Sequence, residues 1–100
     1  MVRITSSVAA AMLGDVPEEK RFWCVDGRYL KNLDELKDAL EQMSEDTFRA
    51  HSNETKTDFS NWIKDVIGDE KLSRDLLKSA TQAQAAKAVT ARISWLNSKV

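Results

Sequence analysis

The amino-acid sequence predicts a mainly α (α+β) domain in which an N-terminal β-hairpin packs on a bundle of about four to five short helices. Two patterns carry this prediction. In residues 22–31, aromatic and β-branched residues flank Asp26-Gly27, which is a strong short-range hairpin signal. In the segments that follow, apolar residues recur every three or four positions, and residues that cap helices precede them.

Residues 1–20 are predicted to form a flexible N-terminal tail and linker, and residues 21–100 a single compact helical domain with the hairpin. Chain termini are poorly ordered unless other elements hold them. The only proline, Pro17, lies in a polar stretch that is typical of a linker. A chain of 100 residues is close to the commonest size of one domain.

The hairpin has two possible registers. A two-residue loop places Trp23 and Val25 on one face with Leu30, whereas a three-residue loop with a glycine bulge groups Phe22 and Cys24 with Leu30. We favour the bulged form slightly, and Leu30 faces the core in both. The hairpin must pack on helices, because an isolated two-stranded hairpin is only marginally stable in water.

A helix predicted over residues 57–68 is the expected centre of the core. Thr55 or Thr57 can cap its start, and Gly68 can adopt the left-handed conformation that ends it. Leu36 and Leu40, from the helix that follows Asn32, are expected to pack against this helix. Its apolar stripe follows the i, i+3, i+4, i+7, i+8 spacing of one helical face and comprises Phe59, Trp62, Ile63, Val66 and Ile67.

Four more helices are expected, beginning after the capping residues Asn32, Ser44, Asp69 and Thr81. The third is expected to bury Leu72, Leu76 and Leu77. The last carries a seam at heptad spacing, but it extends over only two heptads, which favours packing against the domain's own core over a helix-mediated dimer. The seam residues are Ala86, Val89, Ile93, Leu96 and Val100.

The composition narrows the class of protein. A single cysteine, Cys24, cannot form an internal disulfide, and with the only histidine, His51, it cannot complete a structural zinc site. The longest apolar run, residues 8–13, is far shorter than the roughly 20 residues that span a bilayer. We therefore expect a cytoplasmic protein with no cofactor, no bound metal and no membrane association.

Charge is unevenly distributed along the chain. The net charge of −1 argues against a dedicated nucleic-acid binder. However, residues 1–70 hold nine basic and 15 acidic residues, whereas residues 71–100 hold six basic and one acidic. We favour two oppositely charged parts of one small globule over a partner surface. A basic stripe towards the C-terminus can form from Arg74, Lys78, Lys87, Arg92 and Lys99, and Trp95 lies beside the apolar seam, where it can be exposed.

The landmarks in order are Asp26-Gly27, Asn32-Leu33-x-Glu35-Leu36, Ser44 with Phe48 and His51, Asp58-Phe59-x-x-Trp62-Ile63, and Gly68-Asp69-x-x-Leu72. Together they resemble a family of small domains of unknown function found mainly in archaea and in some bacteria. The resemblance covers residues 22–77, and the chain departs from it at Ser52, where an apolar residue is expected, and at Thr57, where Asn is expected. The resemblance implies a fold, but the family has no established activity that could be carried over to this chain.

His51 is the main candidate for chemistry, with Asp58 downstream. A histidine beside a carboxylate can act as a general base. No nucleophile elbow and no glycine-rich phosphate loop accompanies it in the sequence. We therefore favour a packing role, in which His51 stacks on Trp62 or donates to a carboxylate or carbonyl at a helix end. Cys24 is expected to be a buried and inert thiol with a raised pKa.

The function that we favour is a non-catalytic protein–protein interaction or accessory module, present as a monomer or weak homodimer with an unidentified protein partner. The alternative is a nucleic-acid-associated protein that uses the basic C-terminal helix, and an enzyme that uses His51 ranks third. Association is expected through an open edge of the hairpin, with the C-terminal seam as the rival surface. The candidate interaction or functional residues are His51, Asp58, Trp62, Trp95, Arg92 and Arg28.

Overall fold

The computed structural model describes residues 4–100. Its elements are α1 (Ser6–Leu13), a 3-10 turn (Glu18–Lys20), β1 (Phe22–Trp23), β2 (Tyr29–Leu30), α2 (Leu33–Gln42), α3 (Glu45–His51), α4 (Asp58–Trp62), a π-helical turn (Ile63–Ile67), α5 (Glu70–Leu77) and α6 (Gln82–Asn97). The two strands form one antiparallel hairpin. This arrangement confirms the predicted fold class, mainly α with an N-terminal hairpin.

The predicted capping residues begin four of the helices. The side chains of Asn32, Ser44, Asp69 and Thr81 each accept a hydrogen bond from the backbone N–H three residues later. Each of these bonds satisfies a donor that the first turn of a helix would otherwise leave without a partner. α4 differs, because the side chain of Thr57 makes no capping hydrogen bond.

Residues 4–20 are part of the folded domain and do not form the predicted flexible tail. Thr5 caps α1 by accepting a hydrogen bond from Val8, and Ala9 and Met12 are buried where α1 packs against α6 and α2. Val16 N–H donates to the Lys31 carbonyl at 2.8 Å, which ties the linker to β2. The tertiary partners order this segment, and residues 1–3 of the predicted tail lie outside the described residues.

The predicted central helix is only partly α-helical. After α4, the chain widens into the π-helical turn, where the N–H groups of Gly68 and Asp69 both donate to the Ile63 carbonyl, at 2.8 and 3.1 Å. Gly68 ends the turn in the predicted left-handed conformation, with φ 84°. Val66 and Ile67 are only partly buried and pack against the core from outside, which corrects the prediction that Val66 lies within the core.

α6 packs against three helices, α1, α2 and α5. Val89, Ile93 and Leu96 are buried in these contacts, which confirms that the seam packs within its own domain. Two residues that were predicted to be buried are exposed instead: Leu77 at the end of α5 is 56% exposed, and Val100 is 66% exposed.

The hairpin adopts the bulged register. Phe22 pairs with Leu30, and Trp23 with Tyr29. The Cys24 N–H donates to the Arg28 carbonyl at 2.9 Å, which closes a three-residue loop. The last loop residue, a glycine, has φ 97°, a conformation that glycine adopts without strain. As this register predicts, Phe22 and Leu30 are buried together with the cysteine between the strands.

Candidate interaction surface

His51 is buried, and the protein engages both of its ring nitrogens. It ends α3 and is 3% exposed. The backbone N–H of Val25 donates to Nε2 at 3.0 Å, so Nε2 carries no proton. In this tautomer Nδ1–H donates to the Asp58 carboxylate at 2.9 Å, and Lys56 Nζ lies 3.4 Å from the same carboxylate oxygen. The side chain therefore ties the hairpin loop to the start of α4, consistent with the predicted packing role.

An aromatic cluster holds the inner face of the hairpin. The Phe22 ring stacks on Phe59 with centroids 5.0 Å apart, and it meets His51 and Trp62 edge-on at 5.1 and 5.9 Å. Phe48 stacks on the far side of the cluster at 5.9 Å from Phe59. His51 thus packs against phenylalanine rings, and its predicted stacking on Trp62 is not among these contacts.

Trp62 anchors the entry to β1. Its side chain is only 7% exposed, as expected of a core residue. The indole Nε1–H donates to the backbone carbonyl of Lys20 at 2.8 Å. This bond satisfies the one polar atom of the buried ring and fixes the chain immediately before β1. Trp62 is therefore a structural residue beneath the hairpin, not part of an exposed surface.

Two large aromatic side chains on the opposite side of the hairpin face solvent. Trp23 is 54% exposed and Tyr29 62% exposed, and they are direct partners across the two strands. Strand alternation places Arg21 and Lys31 on the same side, because their neighbours Phe22 and Leu30 point inward. We call this side the outer hairpin face, which comprises Arg21, Trp23, Val25, Tyr29 and Lys31.

Neither Trp23 nor Tyr29 is among the candidate residues predicted from the sequence. The bulged register already implied their position, since it places Phe22 and Leu30 inward and their neighbours outward. Of the candidate residues predicted from the sequence, Arg28 lies between the hairpin loop and β2. Its guanidinium contacts Asp26 through Nε at 3.1 Å and donates to the Gln42 side chain at 3.2 Å.

Arg92 is not an exposed basic residue, which corrects its assignment to a basic surface stripe. It is 7% exposed, and its Nε and Nη2 donate to the two carboxylate oxygens of Asp69 at 2.7 and 3.0 Å. Asp69 is 1% exposed and also caps α5. A guanidinium that is committed to a buried carboxylate is not available to a phosphate.

Trp95 is exposed, as expected, to 40%. It lies near Arg92, whose guanidinium carbon is 4.5 Å from the ring centroid, and Lys99 Nζ is 5.0 Å from the same centroid. These distances are typical of cation–π contacts. Trp95 and Arg92 therefore share one region on α6, whereas His51, Asp58 and Trp62 lie beneath the hairpin.

Cys24 is fully buried between the hairpin and the core. Burial raises the pKa of its thiol, which confirms the predicted direction. Within residues 4–100, no three His, Cys, Asp or Glu side chains come together as a possible metal site. No helix in the same range is both long and apolar enough to cross a bilayer.

Comparison with family models, with curated proteins and with solved structures found no match to this chain. The resemblance to the mainly archaeal domains therefore stays a prediction.

Proposed function

We propose that this protein is a non-catalytic protein–protein interaction module that binds its partner through the outer hairpin face. The observation that carries the proposal is the cross-strand pair of Trp23 and Tyr29, each more than half exposed at 54% and 62%. Tryptophan and tyrosine are enriched among the residues that dominate binding energy at protein interfaces. Placed side by side, they offer a large apolar surface with polar tips that can reach a partner's hydrogen-bonding groups.

The backbone under this face is held in place by interior contacts. Val25 N–H is bonded to His51, the Lys20 carbonyl to Trp62, and the Phe22 ring to the aromatic cluster. A surface that is already ordered loses little conformational entropy on binding, which leaves more of the contact energy as affinity. The buried contacts therefore support a role in presenting the exposed pair.

The chemistry of the face indicates the kind of partner. Arg21 is exposed beside Trp23, and Lys31 makes only a long contact of 3.8 Å with Asp15. The partner surface is expected to supply an apolar anchor between the aromatic rings and carboxylates near the two cations. β1 and β2 are only two residues each, so a hairpin edge offers few backbone bonds, and side-chain recognition replaces the edge pairing expected from the sequence.

The engagement of the potential reactive groups supports a non-catalytic role. His51 has both ring nitrogens bonded within the protein, and Cys24 is fully buried with a raised pKa. A general base needs a free nitrogen within reach of its substrate, and a nucleophilic cysteine needs its thiolate. Neither condition is met in this arrangement.

The proposal is tested by affinity capture from the native cell with three versions of the tagged chain. The first is wild type, the second is Trp23→Ser with Tyr29→Ser, and the third is a matched control, Leu77→Ser with Val100→Ser. The control removes two apolar side chains of similar exposure, at 56% and 66%, that lie outside the hairpin. Circular dichroism and thermal melts establish that all three versions fold.

We then purify any protein that is captured by wild type and by the control but not by the hairpin variant, and titrate it against all three versions. We expect the hairpin variant to bind at least about tenfold more weakly, a loss of about 1.4 kcal/mol, and the control to bind within about twofold of wild type. Equal affinity for wild type and hairpin variant contradicts the proposal. Capture that nuclease treatment abolishes, with steep salt dependence, supports the nucleic-acid alternative instead.

A further inference from the structure

A second surface lies along α6 and shares no residue with the outer hairpin face. Its floor is formed by α6, one wall by the start of α1, and the other wall by α5 and the π-helical turn. We call it the α6 groove. Its lining residues include Lys64, Arg74, Ala88, Ala91, Trp95 and Lys99.

The α6 groove carries an excess of positive charge. Lys64, Arg74 and Lys99 are exposed, and none of them forms a salt bridge with another residue in the range 4–100. The other two cations that line the groove are neutralised. Lys71 pairs with Asp75 at 2.7 Å, and the buried Arg92 pairs with Asp69. Glu70 is the one remaining carboxylate among the lining residues.

The floor of the groove combines small side chains with one exposed aromatic ring. Ala88 and Ala91 are on the same face of α6 as Trp95, at positions three and four residues apart. The alanines allow close approach of another backbone, and the ring offers an apolar anchor near one end. The Asp69–Arg92 ion pair joins the α5 wall to the α6 floor at the start of α5.

We propose that the α6 groove binds an acidic amphipathic helix of a protein partner. A helix that lies on α6 between α1 and α5 would continue the packing of the bundle, at the roughly 8–10 Å spacing of packed helices. Carboxylates on its flanks meet Lys64 and Arg74 along one wall and Lys99 near the end of the floor, and its apolar stripe contacts Trp95. This site goes beyond the proposed hairpin function because it adds a second partner surface of different chemistry.

The arrangement at Trp95 favours a helix over a nucleic acid. A base must stack on an open ring face, and the ring of Trp95 already has Arg92 and Lys99 at 4.5 and 5.0 Å from its centroid. The net charge of −1 also opposes a long polyanion more than a short helix with a few carboxylates. An acidic helix needs only the local cations and the apolar edge of the ring.

The test uses three fluorescein-labelled probes and fluorescence anisotropy. The first is a synthetic amphipathic helix of about 18 residues, five turns, with leucines on one stripe, a few glutamates on its two flanks, and alanine and glutamine on the remaining face. The second replaces every glutamate of that peptide by glutamine. The third is a single-stranded oligothymidylate of about 20 nucleotides, longer than the site of one single-strand-binding module.

Two double variants carry the same change in charge. Arg74→Glu with Lys99→Glu reverses two cations of the α6 groove. Lys78→Glu with Lys87→Glu reverses one cation at the C-cap of α5 and one within α6, neither of which lines the groove. We expect the groove variant to bind the acidic peptide at least about tenfold more weakly than wild type, and the control to stay within about twofold. The glutamine peptide should bind wild type weakly.

The hairpin variant Trp23→Ser with Tyr29→Ser should bind the acidic peptide as wild type does, so the two proposals fail or succeed separately. Three results would overturn the α6 groove proposal: no binding of the acidic peptide to wild type, equal loss in groove and control variants, or equal binding of the glutamine peptide. Groove-dependent binding of oligothymidylate without binding of the acidic peptide also overturns it and assigns the groove to nucleic acid.

Discussion

The Asp69–Arg92 ion pair determines how α5 is held against α6, and it can be tested directly. Both side chains are buried, at 1% and 7% exposure, and the two carboxylate oxygens accept from the guanidinium at 2.7 and 3.0 Å. The Leu72 N–H also donates to Asp69 at 3.1 Å. Arg92→Met keeps an unbranched apolar stem and removes the charge, so the carboxylate is left buried with its capping bond alone.

The expected cost is large for a domain of this size. Breaking a buried ion pair by removing one partner costs about 3–5 kcal/mol, and whole domains are stable by about 5–15 kcal/mol. Asp69→Asn keeps the helix cap, because asparagine caps as well as aspartate, but it leaves a buried guanidinium without its counter-charge. The double variant leaves no buried charge, so it should lose about 2–3 kcal/mol less than the sum of the single variants.

The assay is equilibrium unfolding in urea, followed by circular dichroism for wild type, both single variants and the double variant. Unchanged slopes with lower midpoints indicate a change in stability without a change in the surface exposed on unfolding. The reasoning is refuted if Arg92→Met costs less than about 1 kcal/mol, or if the two single-variant losses simply add. Either result would mean that water, and not Asp69, solvates the guanidinium.

Three further predictions follow from particular contacts. Gly68→Ala should lower the free energy of unfolding in urea by about 1–2 kcal/mol. The added methyl group meets no neighbouring atom, so this cost comes only from the backbone φ of 84°. Gly14→Ala, at φ −77°, should be neutral or slightly stabilising. His51→Gln should cost about 1–3 kcal/mol and lower the protection of the Val25 amide from hydrogen exchange; unchanged protection would contradict the hydrogen bond. The Cys24 thiol should react slowly with a disulfide reagent near neutral pH. Because its folded-state pKa is raised, it should destabilise the fold above the unfolded-state pKa of about 8.5, an effect absent in Cys24→Ala.

The local features of the fold could be read from the sequence, because each depends on residues close together in the chain. A cap needs a side chain and an N–H three residues later, as at Asn32 and Thr81. The bulged hairpin needs a glycine able to adopt a positive φ next to Asp26, and alternation then determines which side chains point inward. A packing role for His51 was also expected, because no catalytic motif accompanies it in the sequence.

The remaining features depend on contacts between distant segments. Periodicity reports whether one helix has an apolar face, but it does not report which charged residue meets another across the interior. From the sequence alone, Arg92 was therefore predicted to be a surface cation. In the fold it contacts Asp69, which lies 23 residues earlier in the chain. In the same way α1 is ordered only because α6 and α2 cover Ala9 and Met12, and the α6 groove exists only because α1 and α5 pack on the same helix. Local propensity determined the elements, and burial between elements decided which charges are paired inside and which side chains remain available to a partner.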